Sequence, residues 1–207
     1  METIKKIVVI GPESAGKSTL CSKLAAHYNT LWVPEFAREY LEKNGAEYDY
    51  ADLLTIAKGQ IELEEKIRHE ASAIRYQASG GDEPKTSNLT PNTSNLTPNT
   101  LFIDTDLYVM KVWSEFVFNE CHNWILNRIA ERKYDLYLLC ATDLPWVQDE
   151  LREYPDEKIR KNLFCFYKDI MVNQSTPWCI ISGNYEERFG KSVKFIEDSF
   201  TKKNVQK

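Results

Sequence analysis

The octet Gly-Pro-Glu-Ser-Ala-Gly-Lys-Ser at residues 11–18 constrains this chain more than any other stretch. It follows the apolar residues 4–10 and leads into a segment with Leu20, Leu24 and Tyr28 four apart, so a strand should enter the loop and a helix leave it. Glycines at both ends let the backbone curl until successive N–H groups point inward, a concavity that fits phosphate oxygens. The positive end of the helix opening near Lys17 adds to the same spot. Lys17 can reach the β- and γ-phosphates of a nucleoside triphosphate, and the Ser18 hydroxyl can take a place on Mg²⁺. Gly11, Pro12, Glu13, Ser14, Ala15, Gly16, Lys17, Ser18 and Thr19 are therefore expected to cradle ATP.

Apolar runs then alternate with helix-period segments, as in a parallel sheet wrapped by helices. Strands are predicted over residues 4–10, 30–33, 101–103, 135–140 and 178–181. Pro34 keeps the second of these from continuing as a central strand. Helices are predicted over 17–28, 36–43, 52–74, 107–118, 124–132 and 185–200. Five strands with helices between them make a three-layer α/β domain of the P-loop NTPase kind, and 207 residues suit a single domain. One stretch breaks the pattern. Residues 80–100 turn to Gly, Asn, Thr, Ser and Pro and contain Thr-Ser-Asn-Leu-Thr-Pro-Asn twice in tandem, at 86–92 and 93–99. That composition cannot bury a core and reads as a flexible insertion without a catalytic role.

Carboxylates at strand tips carry the next signal. Asp104 ends the third strand, where it can hold Mg²⁺ together with Ser18; Asp143, after the fourth strand, is a rival. Glu35 follows the second strand, so in a doubly wound sheet it should face the same crevice as the phosphate loop. There it, or Asp104, could take the proton of an acceptor hydroxyl. Asp106 either faces the substrate or caps the helix that follows. Arg152 and Arg160, in the charged and mobile segment between strands four and five, could close over the transferring phosphoryl group. Arg188 is a weaker candidate. The expected catalytic set is thus Lys17, Glu35, Asp104, Arg152 and Arg160.

Other chemistries are set aside on composition. The formal net charge is −5 with no Lys/Arg block, so the footprint of a nucleic-acid partner is missing. Five scattered cysteines without a CxxC spacing read as thiols in a reducing compartment, and three unpaired histidines offer no zinc site. No apolar run approaches the length of a membrane span, nor does residues 1–10 have the build of a signal peptide, so a cytoplasmic protein is expected.

Several motifs together resemble one family. They are the phosphate loop with Thr19, Val-Pro-Glu-Phe-Ala-Arg-Glu-Tyr at 33–40, Ala-Lys-Gly-Gln at 57–60, Phe-Ile-Asp-Thr-Asp at 102–106, Tyr-Asp-Leu-Tyr-Leu-Leu at 134–139, Asp-Leu-Pro-Trp at 143–146 and Leu-Arg at 151–152. In this order they resemble the ribosylnicotinamide kinase domain of bacterial NAD-biosynthesis proteins. The resemblance implies a nucleoside/nucleotide-kinase-like fold and ATP-dependent phosphorylation of the 5′-hydroxyl of nicotinamide riboside, giving nicotinamide mononucleotide. Related multifunctional proteins add an adenylyltransferase domain with a His-x-Gly-His signature and a helix-turn-helix repressor domain. Neither has a counterpart in this sequence, so the resemblance implies the kinase part alone. A planar cationic nicotinamide ring would favour an aromatic face from Tyr40, Tyr108 or Trp113, with Glu35 and Asp106 nearby. Arg38 and Gln60 would meet the ribose hydroxyls. Kinase action on another nucleoside, or a regulatory switch driven by ATP hydrolysis, are the alternatives.

Overall fold

The computed structural model describes residues 4–78 and 99–204. The tandem repeat therefore lies outside the described residues, except for its last asparagine. Five strands, β1 (Lys5–Ile10), β2 (Trp32–Val33), β3 (Thr100–Asp104), β4 (Leu136–Cys140) and β5 (Trp178–Ile181), form one parallel sheet in the order β2-β3-β1-β4-β5. Every residue of β3 and β4 is buried, as expected of parallel strands covered on both faces. β3 begins one residue before the expected 101. Threonine suits a strand, and the carbonyl of Asn99 already accepts from the Lys5 N–H at 2.9 Å.

Seven helices complete the described chain: α1 (Lys17–His27), α2 (Phe36–Asn44), α3 (Tyr50–Ala78), α4 (Leu107–Phe118), α5 (Asn123–Glu131), α6 (Glu157–Asn173) and α7 (Tyr185–Asn204). Alternate strand residues sort the layers. Ile7, Val9, Phe102 and Leu138 point to one face, covered by Leu20, Cys21 and Leu24 of α1 and Val193 and Ile196 of α7. Val8, Ile10, Ile103 and Leu139 point to the other, covered by α3, α4 and α6 through Ile67, Val112 and Leu163. The three-layer α/β fold with five parallel strands is the one the sequence predicts.

One element departs from expectation. The charged stretch after strand four is not a mobile segment throughout, because α6 runs through it. Asp156 caps this helix by accepting from the Ile159 N–H at 2.9 Å. Arg160, Leu163, Tyr167 and Met171 recur three and four apart and are all buried. Charged residues on the opposite face masked that stripe.

A third cluster joins the helices to one another. Ala37, Leu53, Ile56, Ala57, Met110 and Ile125 bring α2, α3, α4 and α5 together beside the sheet edge formed by β2. Gly59 makes the α2–α3 approach possible, because a Cβ there would lie 2.1 Å from Cε1 of the Phe36 ring. Alanine is the better helix former by about 1 kcal/mol, but overpacking costs about 1–3 kcal/mol, so Gly59→Ala should be destabilising on balance. Urea unfolding should show that loss, and Phe36→Leu introduced alongside should recover most of it. An equally stable Gly59→Ala protein would mean the ring swings aside at no cost.

Candidate active site

The phosphate loop turns hard against the end of β4. Gly11 has φ 142°, and a side chain there would bring its Cβ within 2.7 Å of the Cys140 carbonyl oxygen. Beneath the loop lies Arg188, almost wholly buried. Its guanidinium donates to the carbonyls of Ala15 (2.8 Å), Ala141 (3.0 Å) and Gly183 (2.7 Å) and pairs with Asp143. The loop is thereby fastened to the segments that follow β4 and β5. Asp143 accepts from Arg188 and from the Gly183 N–H, so its carboxylate is engaged in the fold rather than offered to a metal. Arg188 likewise acts from below the loop. Lys17 arches over it and donates to the Pro12 carbonyl at 3.1 Å.

Beside the loop, the tip of β3 places Asp104 in full burial. Neither carboxylate oxygen meets a hydrogen-bond donor in bonding geometry, a rare condition for a buried polar group. Burial first, then the negative charge of Glu35, pushes its pKa up to about 7, while Lys17 and the nearby hydroxyls of Ser18 and Thr105 pull the other way. Glu35, at the N-cap position of α2, accepts from the Thr105 hydroxyl at 3.4 Å. An unpartnered carboxylate next to Ser18 is the donor set a magnesium ion bound chiefly through phosphates requires. Among the described residues no group of three or more His, Cys, Asp or Glu could hold a metal by itself.

Asp106 faces away from this site. Its Oδ1 accepts from the Tyr108 N–H (2.9 Å) and its Oδ2 from the Tyr137 hydroxyl (2.7 Å), so the helix-cap alternative describes its contacts. Burial pushes this carboxyl up to about 7 as well.

A cleft of about 310 Å³ runs from the phosphate loop to α2, α4 and α6. It brings together all nine loop residues with Glu35, Arg38, Trp113 and Arg152. Neither Asp104 nor Asp106 is among the lining residues, and four more expected residues stand elsewhere. Gln60 is buried under α2, its Oε1 accepting from the Phe36 N–H (2.7 Å) and its Nε2 donating to the Pro34 carbonyl (3.3 Å). Tyr40 gives its hydroxyl to Asp52 at 2.6 Å. Tyr108 packs against Tyr137. Arg160 is drawn inward because α6 buries its face: it donates to the carbonyls of Thr142 and Leu144 and lies over the Trp146 ring. The expectation that these four side chains line the cleft is thus corrected. Phe116, Tyr154 and Tyr167 supply aromatic lining that sequence reasoning missed. For Tyr167 the signal was available in the 160–163–167–171 stripe.

An irregular strap, residues 147–154, closes the cleft on the loop side. Val147 donates its N–H to the Ser14 hydroxyl (3.1 Å), and Glu153 and Tyr154 donate theirs to Glu13 Oε2 (3.1 and 3.2 Å). On the far side Asp149 pairs with Arg38 at 2.9 Å, and Glu153 accepts from the Tyr48 hydroxyl, which in turn accepts from Trp113 Nε1. No described helix is long and apolar enough to cross a membrane.

The profile of a family described as an AAA domain matches residues 6–79 and 86–188, most of the chain. The trifunctional NAD biosynthesis/regulator protein NadR of Escherichia coli is 24% identical over 200 residues. Its Salmonella typhimurium counterpart is 24% identical over 200 residues as well. Both belong to the bacterial NAD-biosynthesis proteins that the motifs resemble. The match covers 94% of this chain but only 42% of each relative. Among solved structures, a NadR protein in complex with NR superposes with a TM-score of 0.69 at 20% identity, over 95% of this chain and 49% of that one. Thymidylate kinase from Ehrlichia chaffeensis gives 0.58 at 11% identity, over 94% and 99%. At such identities the structural likenesses establish the shared fold.

The raised carboxyl of Asp104 has a measurable consequence. In the folded chain it keeps its proton after the unfolded chain has released its own, so without metal it lowers stability as pH rises from about 4 to about 7, by roughly 1 kcal/mol per pH unit, and no further above. Asp104→Asn removes that penalty. Melting temperatures in EDTA should therefore shift in favour of the variant as pH rises through this window. A difference between the two proteins that stays constant with pH would overturn the assignment.

Proposed function

The chain belongs to the AAA domain family, and we propose that it is an ATP-dependent kinase that phosphorylates the 5′-hydroxyl of nicotinamide riboside to give nicotinamide mononucleotide. One observation carries this reading: the whole phosphate loop and the Glu35–Trp113 wall line a single cleft, so donor and acceptor can meet in line. A hydrolytic switch has no need of the second wall. The relatives support the choice of acceptor, since they are NAD-biosynthesis proteins and one solved NadR structure holds NR.

In this reading the loop amides and the α1 N-terminus bind the donor phosphates, and Lys17 leaves the Pro12 carbonyl to reach the γ-phosphate. Ser18 and Asp104 would hold Mg²⁺, which would supply neutralising charge to the phosphates. Glu35 accepts the proton of the 5′-hydroxyl as its oxygen bonds to the γ-phosphorus and the bond to the bridging oxygen of ADP breaks. Arg152, already in the cleft lining, offers positive charge to the transferring group. Trp113, Phe116, Tyr154 and Tyr167 surround the far end with aromatic surface suited to a cationic ring.

Lys17→Ala should lower single-turnover phosphoryl transfer at saturating ATP by about a hundredfold or more, with the fold unchanged by circular dichroism. A near-normal rate would remove the loop from the chemistry. A panel of nicotinamide riboside, uridine, cytidine, thymidine and adenosine, at fixed ATP and Mg²⁺, tests the acceptor. Nicotinamide riboside should give the highest kcat/KM and the largest thermal stabilisation. Another nucleoside ahead by about tenfold would keep the kinase and replace the acceptor, because a mismatched pocket costs roughly that much. ATP turnover that no nucleoside stimulates would point to the regulatory switch.

A further inference from the structure

We propose that Glu13 is a positioning residue: from within the phosphate loop its carboxylate docks the strap 147–154, holding Arg152 and Tyr154 against the cleft at a place set by the loop itself. The part of this inference that concerns turnover rests on the kinase reading above; the docking does not.

The strap has little with which to hold its own shape. Its internal bonds cluster at one turn, from the Arg152 N–H to the Asp149 carbonyl at 3.2 Å and from the Leu151 N–H to the Asp149 carboxylate at 3.1 Å, and Arg152 also donates to the Val147 carbonyl. Its ends are gripped by neighbouring side chains of the loop, Ser14 at Val147 and Glu13 at Glu153 and Tyr154. A carboxylate accepting from two consecutive backbone amides fixes both position and direction of the segment. The remaining ties act on side chains: the Tyr154 ring meets Phe116 edge to face at 5.2 Å, and two polar contacts reach α2 and the chain just before α3. Arg38–Asp149 joins side chains 44% and 24% exposed, a class of ion pair that contributes little. Tyr48–Glu153 runs through a flexible glutamate.

This assignment also explains a negative charge inside a loop built to receive phosphate. A carboxylate free to face the nucleotide would repel it. Here Oε2 is turned to the strap amides, and burial pushes the Glu13 carboxyl up while those two N–H groups and Lys17 pull it down. Because Arg188 fastens the loop from below, the strap inherits a rigid support. The strap's place is then set by the loop, which leaves nucleotide affinity to the loop amides and the placing of Arg152 to Glu13.

Hydrogen exchange followed by mass spectrometry on the whole protein, without nucleotide or acceptor, reads the docking directly. In Glu13→Ala the amides of Glu153 and Tyr154 should exchange about tenfold faster or more than in wild type. Unchanged exchange there overturns the proposal. Should Glu13→Ala fail to fold, Glu13→Asp, whose shorter side chain withdraws the carboxylate from the strap, reads the same two amides: faster exchange supports the docking and unchanged exchange overturns it. Kinetics provide the second arm. Glu13→Ala should lower kcat by about tenfold with the Kd of a non-hydrolysable ATP analogue changed by less than about threefold. Glu13→Gln, whose carbonyl oxygen can still accept both N–H groups, should regain the exchange protection and most of the kcat. A Gln variant that is protected yet as slow as Ala would overturn the positioning role, giving the charge itself a direct part in the cleft. If no nucleoside is turned over by the wild type, the kinase reading fails, and the exchange arm alone still decides the docking.

Discussion

A phosphate loop works only if its N–H groups stay free to face a ligand, so something else must hold the loop in shape. Arg188 does this from beneath. A buried guanidinium without partners would be very costly, and here Ala15, Ala141, Gly183 and Asp143 accept its donors together. Those acceptors belong to the loop and to the chain just past β4 and β5. One side chain thus ties the loop to the two segments that flank it, and the loop amides are spared that task.

On the other side of the loop the protein does the opposite and leaves charge unsatisfied. Asp104 is fully buried without a bonded partner and has Glu35 for a neighbour. An arrangement that raises a carboxyl pKa by this much costs stability in the resting chain at pH above the usual carboxylate range. The contrast with Asp106, two residues on, is instructive. It is equally buried, yet both its oxygens are bonded, and it serves the fold by capping α4 and meeting Tyr137.

The end of the cleft away from the loop comes from the helical layer. Gly59 lets α2 settle on α3, which sets Glu35 and Arg38 at the mouth; α4 contributes Trp113 and Phe116, and α6 contributes Tyr167. The strap spans from the loop to α2 and carries Arg152 and Tyr154 between the two ends. Support is thus rigid on the loop side, while the ties toward α2 are hydrogen-bonded and partly exposed.

By itself the sequence determined what depends on local order. Backbone curl at Gly11 to Ser18, strand and helix periods, and a carboxylate at the end of β3 are set by neighbours in the chain, and the sheet, Lys17 and Asp104 stand where those patterns put them. Tertiary structure decided where side chains of ambiguous helices go. Tyr40, Gln60 and Arg160 have the right chemistry for a substrate site, but packing of α2 on α3 and of α6 on the sheet sends each to another partner. Phe116, Tyr154 and Tyr167 reach the cleft for the same reason, and Glu13 turns to the strap because two amides more than a hundred residues away meet it there. A helix period says that a face is buried without saying against what; the order β2-β3-β1-β4-β5 supplies that answer, and it is a property of the assembled sheet alone.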